Sequence, residues 1–275
     1  MAVIETLRIA WRGIISNKLR SLLTMLGVII GVAAVIIMMS VSAGTEAQIA
    51  NQINSLGANL LFVTPNFSSG GMGAGRSITL NMADAEAIAE EVEGVVGFSV
   101  EQSTTQTVKF GNISLESISL VGTTPDFPSV REMSMADGRW FNQQEMDRAT
   151  KVVVLGSSIA EELFGDADPI GQKVTIDTTK LTVVGVLDEK GTVSGTDFDG
   201  RIYTPVTIVT QKFSNSQFAR MMGDTVRTIY VQVEGQEVME DVILQIELLL
   251  AKRHDVTLDA PDFAVATQAD IINTM

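Results

Sequence analysis

The chain has 275 residues, 45% of them hydrophobic, and a net charge of −14, enough for one large domain or two small ones around a proper core. The charge is uneven: residues 1–20 carry Arg8, Arg12, Lys18 and Arg20 against Glu5, residues 21–45 carry none, and the remainder holds −17. An acidic body lacks the basic footprint that nucleic-acid binding needs, and the absence of cysteine excludes disulfides, thiolate metal sites and Cys nucleophiles.

The first element is an amphipathic helix over residues 1–20. Val3, Ile4, Leu7, Ala10, Trp11, Ile14 and Ile15 recur at steps of three and four, and Arg8 and Arg12 lie off that face. Such a helix suits the membrane interface, with Trp11 at headgroup depth and Arg8, Arg12, Lys18 and Arg20 toward anionic lipid. Residues 21–45 are uncharged. At a rise of ~1.5 Å per residue they span roughly 37 Å, enough to cross the ~30 Å hydrocarbon layer of a bilayer with some tilt. After Lys18 and Arg20 no basic residue follows until Arg76. That asymmetry predicts a cytoplasmic N-terminus and an extracytoplasmic segment 46–266. A cleaved signal peptide is the rival reading, with Val41-Ser42-Ala43 as its cleavage site, but an apolar signal region is only 7–15 residues long. Gly27 and Gly31 form a GxxxG spacing that permits close helix packing.

Beyond the span, Ile49, Ile53 and Leu56 continue a helical spacing up to Gly57, a plausible cap. Asn59–Thr64 reads as a strand stopped by Pro65. The glycine-rich stretch that follows Phe67 is neither a Walker A loop, lacking Lys-Ser/Thr, nor GxGxxG, since position 76 is Arg. Asn81 and Asp84 give a capping-box start to a helix ending near Gly94. Val95–Phe110 and Ile113–Gly122 flank Gly111-Asn112, a hairpin signal. Near the C-terminus come a strand over Thr225–Val233, a helical face on Val238, Val242, Ile243, Ile246, Leu249 and Leu250, and a strand over Asp262–Thr267. This order predicts an α+β fold: a split βαβ domain over 46–122 and 224–266, interrupted by an insertion over 123–223. The insertion has its own α+β pattern. Val152–Leu155 reads as a buried strand, and Ser157 or Ser158 caps a helix through Phe164. Lys173–Asp177 and Leu181–Asp188 form a hairpin, and Pro205 opens a helix after the strand Arg201–Thr204. Thr267–Asp270 is a capping box at the head of a short helix over 267–275, which suggests a helix cut short before a further membrane segment.

Several runs resemble one family in order along essentially the whole chain. NKLRSLLTMLGVIIGVAAVI (Asn17–Ile36) is similar to the first membrane segment of MacB-type ABC transporter permeases. LGANLLFVTP (Leu56–Pro65) resembles the strand that opens their periplasmic domain. VVVLGSSIAEELFGDADPIGQKVTI (Val152–Ile176) with LTVVGVL (Leu181–Leu187) resembles the family's most repeated block, and IYTP (Ile202–Pro205) and DFAV (Asp262–Val265) also fit. The resemblance implies a porter-like subdomain with an inserted sabre-like one, four membrane helices in the usual permease, and a homodimer in the bacterial inner membrane. It implies ATP bound by a separate ABC ATPase chain, no cofactor in this chain, and in some systems a membrane-fusion adaptor. The function it implies is mechanotransmission, in which ATP-driven closure moves the membrane helices and the outer domain. An FtsX-like regulator of a cell-wall hydrolase or a peptide-sensing signalling partner is the alternative within the same resemblance.

Enzyme chemistry finds little support. His254 is the only histidine and reads as a surface residue, and no Ser/His/Asp or metal-ligand spacing occurs. Asp188, Glu189, Asp197 and Asp199 read as a solvated acidic loop, with a cationic ligand or Ca²⁺ as the weaker reading. Among Phe62, Phe67, Phe127, Trp140, Phe141 and Phe164, most read as core, and Phe67 beside the glycine-rich tip is the candidate for a substrate or partner surface.

Overall fold

The structure is a computed structural model that describes residues 5, 9, 17–55, 59–66, 80–193, 195–213 and 225–273. It divides into a unit of residues 1–51 and a unit of residues 52–275.

Helix α1 runs from Lys18 to Ser55 without a proline. Leu, Ile, Met and Ala favour the helical backbone, and no residue before Ser55 interrupts its hydrogen bonding. The expected continuous helix is found from Leu22 as far as Ser55, and Leu56 and Gly57 lie outside the described residues. Most of residues 1–16 lie outside the described residues.

The second unit begins with β1 (Leu60–Pro65), β2 (Leu80–Asn81) and α2 (Met82–Glu91). The capping box at the head of α2 forms: the Asn81 side chain accepts from the Asp84 N–H, and the Asp84 carboxylate accepts from the Asn81 N–H. The helix ends three residues before Gly94, whose φ of +88° turns the chain into β3 (Val95–Phe110). β4 (Ile113–Thr123) returns after Gly111 at φ +56°, as the Gly-Asn turn predicts. Then come α3 (Phe127–Val130), β5 (Met135–Gly138), α4 (Gln143–Asp147), β6 (Val152–Leu155), α5 (Ser157–Phe164), β7 (Lys173–Ile176) and β8 (Thr179–Leu187). β9 (Thr192–Val193), β10 (Thr196–Asp197), β11 (Arg201–Pro205) and the turn α6 (Val206–Ile208) follow. The chain closes with β12 (Thr225–Val226), β13 (Thr228–Val233), α7 (Met239–His254), β14 (Phe263–Thr267) and α8 (Gln268–Asn273).

The main sheet has the order β14-β1-β13-β3-β4-β11-β6-β8-β5, with β7 bridging β3 and β8. β13 lies antiparallel between β1 and β3, so β1-α2-β3 is a split βαβ unit. β1 lies antiparallel between β13 and β14, so β13-α7-β14 is a second one, interlocked with the first. Both helices cover one face of these four strands. Ala85 and Ile88 of α2 and Val242, Ile246 and Leu250 of α7 meet Leu61, Val63, Val100, Ile229 and Val231 in one core. The opposite face carries Leu60, Val121, Phe127, Val130, Phe141 and Tyr230.

The residues between β4 and β12 extend the same sheet. β11 pairs parallel with β4 and β6 parallel with β8. The far half of the β3–β4 hairpin contributes Val108, Leu120, Phe110, Leu115 and Ile118 to a third core with Val153, Ile159, Leu163 and Val183. Two 11–16-residue strands thus run from one core into another. α5 differs from expectation at its start. Gly156 is its N-cap, and neither Ser157 nor Ser158 caps it. A Cβ at position 156 would collide with the carbonyls of Asp199 and Arg201, so close backbone approach selects glycine where a hydroxyl would otherwise cap.

Candidate functional site

Helix α1 contains a candidate membrane span, Lys18–Ser42, with mean hydropathy 2.8. Every large apolar residue from Leu19 to Val41 is more than half exposed, and none of them joins a hydrophobic core among the described residues. Apolar residues all round a helix need a nonaqueous environment, because burial from water is favourable by roughly 25 cal/mol per Å². Lys18 and Arg20 stand exposed at its N-terminal end. Gly27 and Gly31 sit one turn apart, and a Cβ on either would meet nothing within 4 Å. Arg8, Trp11, Arg12 and Phe67 lie outside the described residues.

His254 is not the surface residue its sequence context suggests. Its side chain is only 12% exposed and stands between two carboxylates. Nδ1 is 2.9 Å from Asp262, and Nε2 is 3.2 Å from Asp84. A neutral imidazole has one N–H, so only the imidazolium donates to both partners. Three local events bring the groups together. The capping box buries Asp84 at the head of α2. His254 ends α7, where Asp255 takes the left-handed conformation (φ 52°) and turns the chain away. The loop to β14 then returns Asp262. Arg253 adds a second cation, with Nε 2.9 Å from Asp84. The hydrogen bond to Asp84 raises the His254 pKa; burial opposes it and Asp262 assists. Burial pushes the Asp84 carboxyl up, but hydrogen bonds from His254, Arg253 and the Asn81 N–H outweigh it and hold the group below the usual range.

A second charged cluster lies on the opposite sheet face. Arg131 is 93% buried, with its guanidinium 4.6 Å from the Tyr230 ring, 5.1 Å from Phe198 and 5.5 Å from Phe62. Among the described residues no carboxylate pairs with it, and Nη1 has no hydrogen-bond partner. The three rings supply the stabilisation that an ion pair would otherwise give. Glu101 instead takes Arg201, at 3.2 Å, and the Tyr230 hydroxyl, at 2.6 Å. Burial pushes that hydroxyl well above its ordinary value, and Glu101 pushes the same way. Lys190 donates to the carbonyls of Arg131 and Glu132, and burial followed by the nearby Arg131 lowers its pKa.

In the acidic loop Asp188, Glu189 and Asp197 are exposed as expected, and only Asp199 departs from expectation. Asp199 is buried and accepts the N–H groups of Lys190 at 2.9 Å and Gly191 at 2.7 Å. Asp197 accepts those of Asp199 and Gly200. These carboxylates staple the loop to itself, and among the described residues no group of three His, Asp or Glu is placed to hold a metal. Phe127, Phe141 and Phe164 are core residues, and Phe62 and Trp140 pack against the core. Phe127 is ringed by Trp140, Tyr203 and Tyr230 at 5.7–6.3 Å.

The Asp84 cap was visible in the sequence, but its pairing with His254 spans 170 residues and carries no local signal. Arg131 was missed for the same reason: its three rings come from strands and a loop distant in sequence.

Residues 21–249 match the family described as MacB-like periplasmic core domain. The macrolide export ATP-binding/permease protein MacB of Bdellovibrio bacteriovorus is 32% identical over 274 residues, covering 98% of this chain and 41% of that protein. The pyoverdine export ATP-binding/permease protein PvdT of Pseudomonas aeruginosa is 33% identical over 204 residues, covering 74% of this chain and 30% of that protein. The chain thus spans about two-fifths or less of the length of these relatives. Among solved structures, the periplasmic region of MacB from Actinobacillus actinomycetemcomitans superposes with a TM-score of 0.63 at 22% identity, covering 81% of this chain and 94% of that one. The extracellular domain of the noncanonic ABC-type transporter YknZ from Gram-positive bacteria gives 0.62 at 19% identity, covering 76% and 100%.

Proposed function

Since the chain belongs to the family of MacB-like periplasmic core domains, we propose that it is the N-terminal part of an ABC transporter permease that passes ATP-driven motion to an extracytoplasmic domain. Domains of this family are not themselves catalytic. The observation that carries the reading is α1: the candidate span and the residues after it, to Ser55, form one helix with no proline. A continuous helix transmits displacement along its axis, whereas a hinge absorbs it.

In this reading Lys18 and Arg20, with Arg8, Trp11 and Arg12, hold the cytoplasmic end at the inner leaflet. Residues 46–266 face the outside. Segments 46–122 and 224–266 act as the porter-like part, and 123–223 as the sabre-like part. The Gly27–Gly31 face packs against another membrane helix, in a homodimer or within one permease. An ABC ATPase drives the cycle from the cytoplasm, and export of a substrate through an adaptor is the output. The names of MacB and PvdT support export as the class of activity, and they differ in what is exported.

The test is insertion of a four-residue Gly-Ser segment after Gly44 in the assembled transporter. We expect membrane insertion and ATP hydrolysis to persist while transport is lost. Transport at the native rate in that variant would refute the lever. Orientation is tested separately, by impermeant labelling of single cysteines introduced at Glu116 and at Asn17. The former should label in intact cells, and the latter only after lysis.

A further inference from the structure

Strand β3 has an edge that the sheet leaves open. On one side β3 pairs with β13 as far as Val95↔Val233. On the other side β4 begins to pair only at Glu101↔Thr123, where β4 ends and the chain leaves for α3. Among the described residues, 95–100 therefore have no strand opposite them on that side. The Thr123 hydroxyl donates to the Val100 carbonyl at 2.6 Å, which shows that Val100 turns its C=O toward the open side. Backbone groups alternate along a strand, so the N–H and C=O of Phe98 turn the same way, beyond the last residue of β4. A bulge at Gln232/Val233 then frees Val96, which is 55% exposed.

A cavity of about 320 Å³ runs along this edge. Ala89 of α2 forms one wall, and Ser129 and Val130 of α3 form the other, with Gly97 and Gln232 between them. Gly97 is not demanded by packing. A Cβ there would stand 3.4 Å from the Gln232 side chain and 3.7 Å from Val130, which are ordinary contacts. The missing side chain is what keeps the groove open. Among the described residues Asp126 is the only ionisable one lining it, is exposed, and makes no capping bond to α3 although it occupies the N-cap. The groove thus sets the outward-turned backbone groups of Val96 and Phe98 between Ala89 on one side and Ser129 and Val130 on the other, with one carboxylate at its rim.

We propose that this groove docks an extended segment of a partner polypeptide, which adds a strand to the open edge of β3 at Val95–Phe98. The segment carries apolar side chains on its inward positions and one Lys or Arg set against Asp126. The unpaired edge selects backbone over a small molecule, since only a polypeptide supplies N–H and C=O groups at strand spacing. The lone carboxylate in a strongly acidic domain selects a basic segment. The proposal does not depend on the transport reading, because it uses only the sheet and its edge.

The test titrates the full chain in nanodiscs with a fluorescent seven-residue peptide of alternating Val and Thr carrying one Lys, followed by anisotropy. Saturable binding is expected in the micromolar range. Gly97→Leu should weaken it at least tenfold by filling the groove. Asp126→Asn should weaken the Lys peptide several-fold and leave a Lys→Gln peptide unchanged, which keeps the test informative if Gly97→Leu folds poorly. N-methylation of alternate peptide amides, which removes backbone donors and keeps the side chains, should abolish binding in one of the two registers. Absence of saturation at millimolar peptide overturns the proposal. So does equal binding of both N-methylated registers, or competition by dodecylamine as effective as by the unlabelled peptide, which would make the cavity a small-molecule site.

Discussion

Helices α1 and α7 are both rich in Leu, Ile and Val, yet they solve opposite problems. α7 buries Val242, Ile246, Leu250 and Ala251 against the sheet and turns Glu240, Asp241, Leu244 and Leu248 outward. It carries Glu240 and Asp241 in its first turn and Lys252, Arg253 and His254 in its last, as the helix dipole favours. In α1 the span Lys18–Ser42 exposes its apolar side chains on all sides and has no charge pattern beyond Lys18 and Arg20. One helix is held by a core and a charged cap, the other by its length and solvent preference. Apolar content alone does not distinguish them; the period of the apolar residues does.

The sharpest way to break that contrast is Asp84→Ala. It leaves His254 and Arg253 without their buried carboxylate and should cost the sheet domain about 3–5 kcal/mol, the usual penalty for removing one partner of a buried pair. Denaturant unfolding followed by tryptophan fluorescence (both tryptophans are Trp11 and Trp140) should show it, and an unchanged midpoint would remove the cluster from the account. Next is Val32→Arg near the middle of the span. It should disfavour membrane insertion by about 2.5–3.5 kcal/mol while leaving unfolding of the sheet domain unaltered. Carbonate extraction measures the first and urea unfolding the second, and a loss of domain stability would mean that α1 is a core helix after all.

A smaller effect comes from pH. The folded pKa of His254 is raised, so its contribution is fully present below the ordinary histidine value of about 6.5 and is lost as pH rises through the folded value. The folded pKa of Asp84 is lowered, so its contribution is present above about 3.9 and is lost as pH falls through the folded value. The cluster is therefore strongest between these limits. Stability should fall as pH rises above about 6.5, by at most about 1.4 kcal/mol per pH unit until the folded value is passed, and His254→Gln should flatten that limb. Last, Asn81→Ala should cost about 1 kcal/mol by removing one half of the α2 capping box, and Asn81→Asp should restore most of it.

Much of the fold is written locally. Val95–Phe110 and Ile113–Thr123 match their sequence reading to within a residue, because alternation and a Gly-Asn turn are properties of neighbours. Val152–Leu155 and the α2 capping box are similarly local. What failed was contact over distance. The Ser157–Ser158 pair looked like a cap until Asp199 and Arg201 crowded position 156. His254 looked exposed because Asp84 and Asp262 reach it from other elements. Asp199 looked as solvated as Asp188, Glu189 and Asp197 because nothing in the spacing shows that it folds back on two N–H groups of the same loop.

The sequence by itself determined the candidate span, the basic flank, the types of the longer elements and the two βαβ repeats, since each depends on periodicity, length or charge within one segment. Only the tertiary structure decided that the insertion extends one sheet rather than standing apart, with β11 laid parallel to β4 and the long hairpin shared between cores. It alone placed a buried arginine against three rings and left the edge of β3 open. The physical reason is that strand pairing and burial of charge are settled by which distant surfaces meet, and a chain's local pattern constrains how each segment folds without fixing its neighbours.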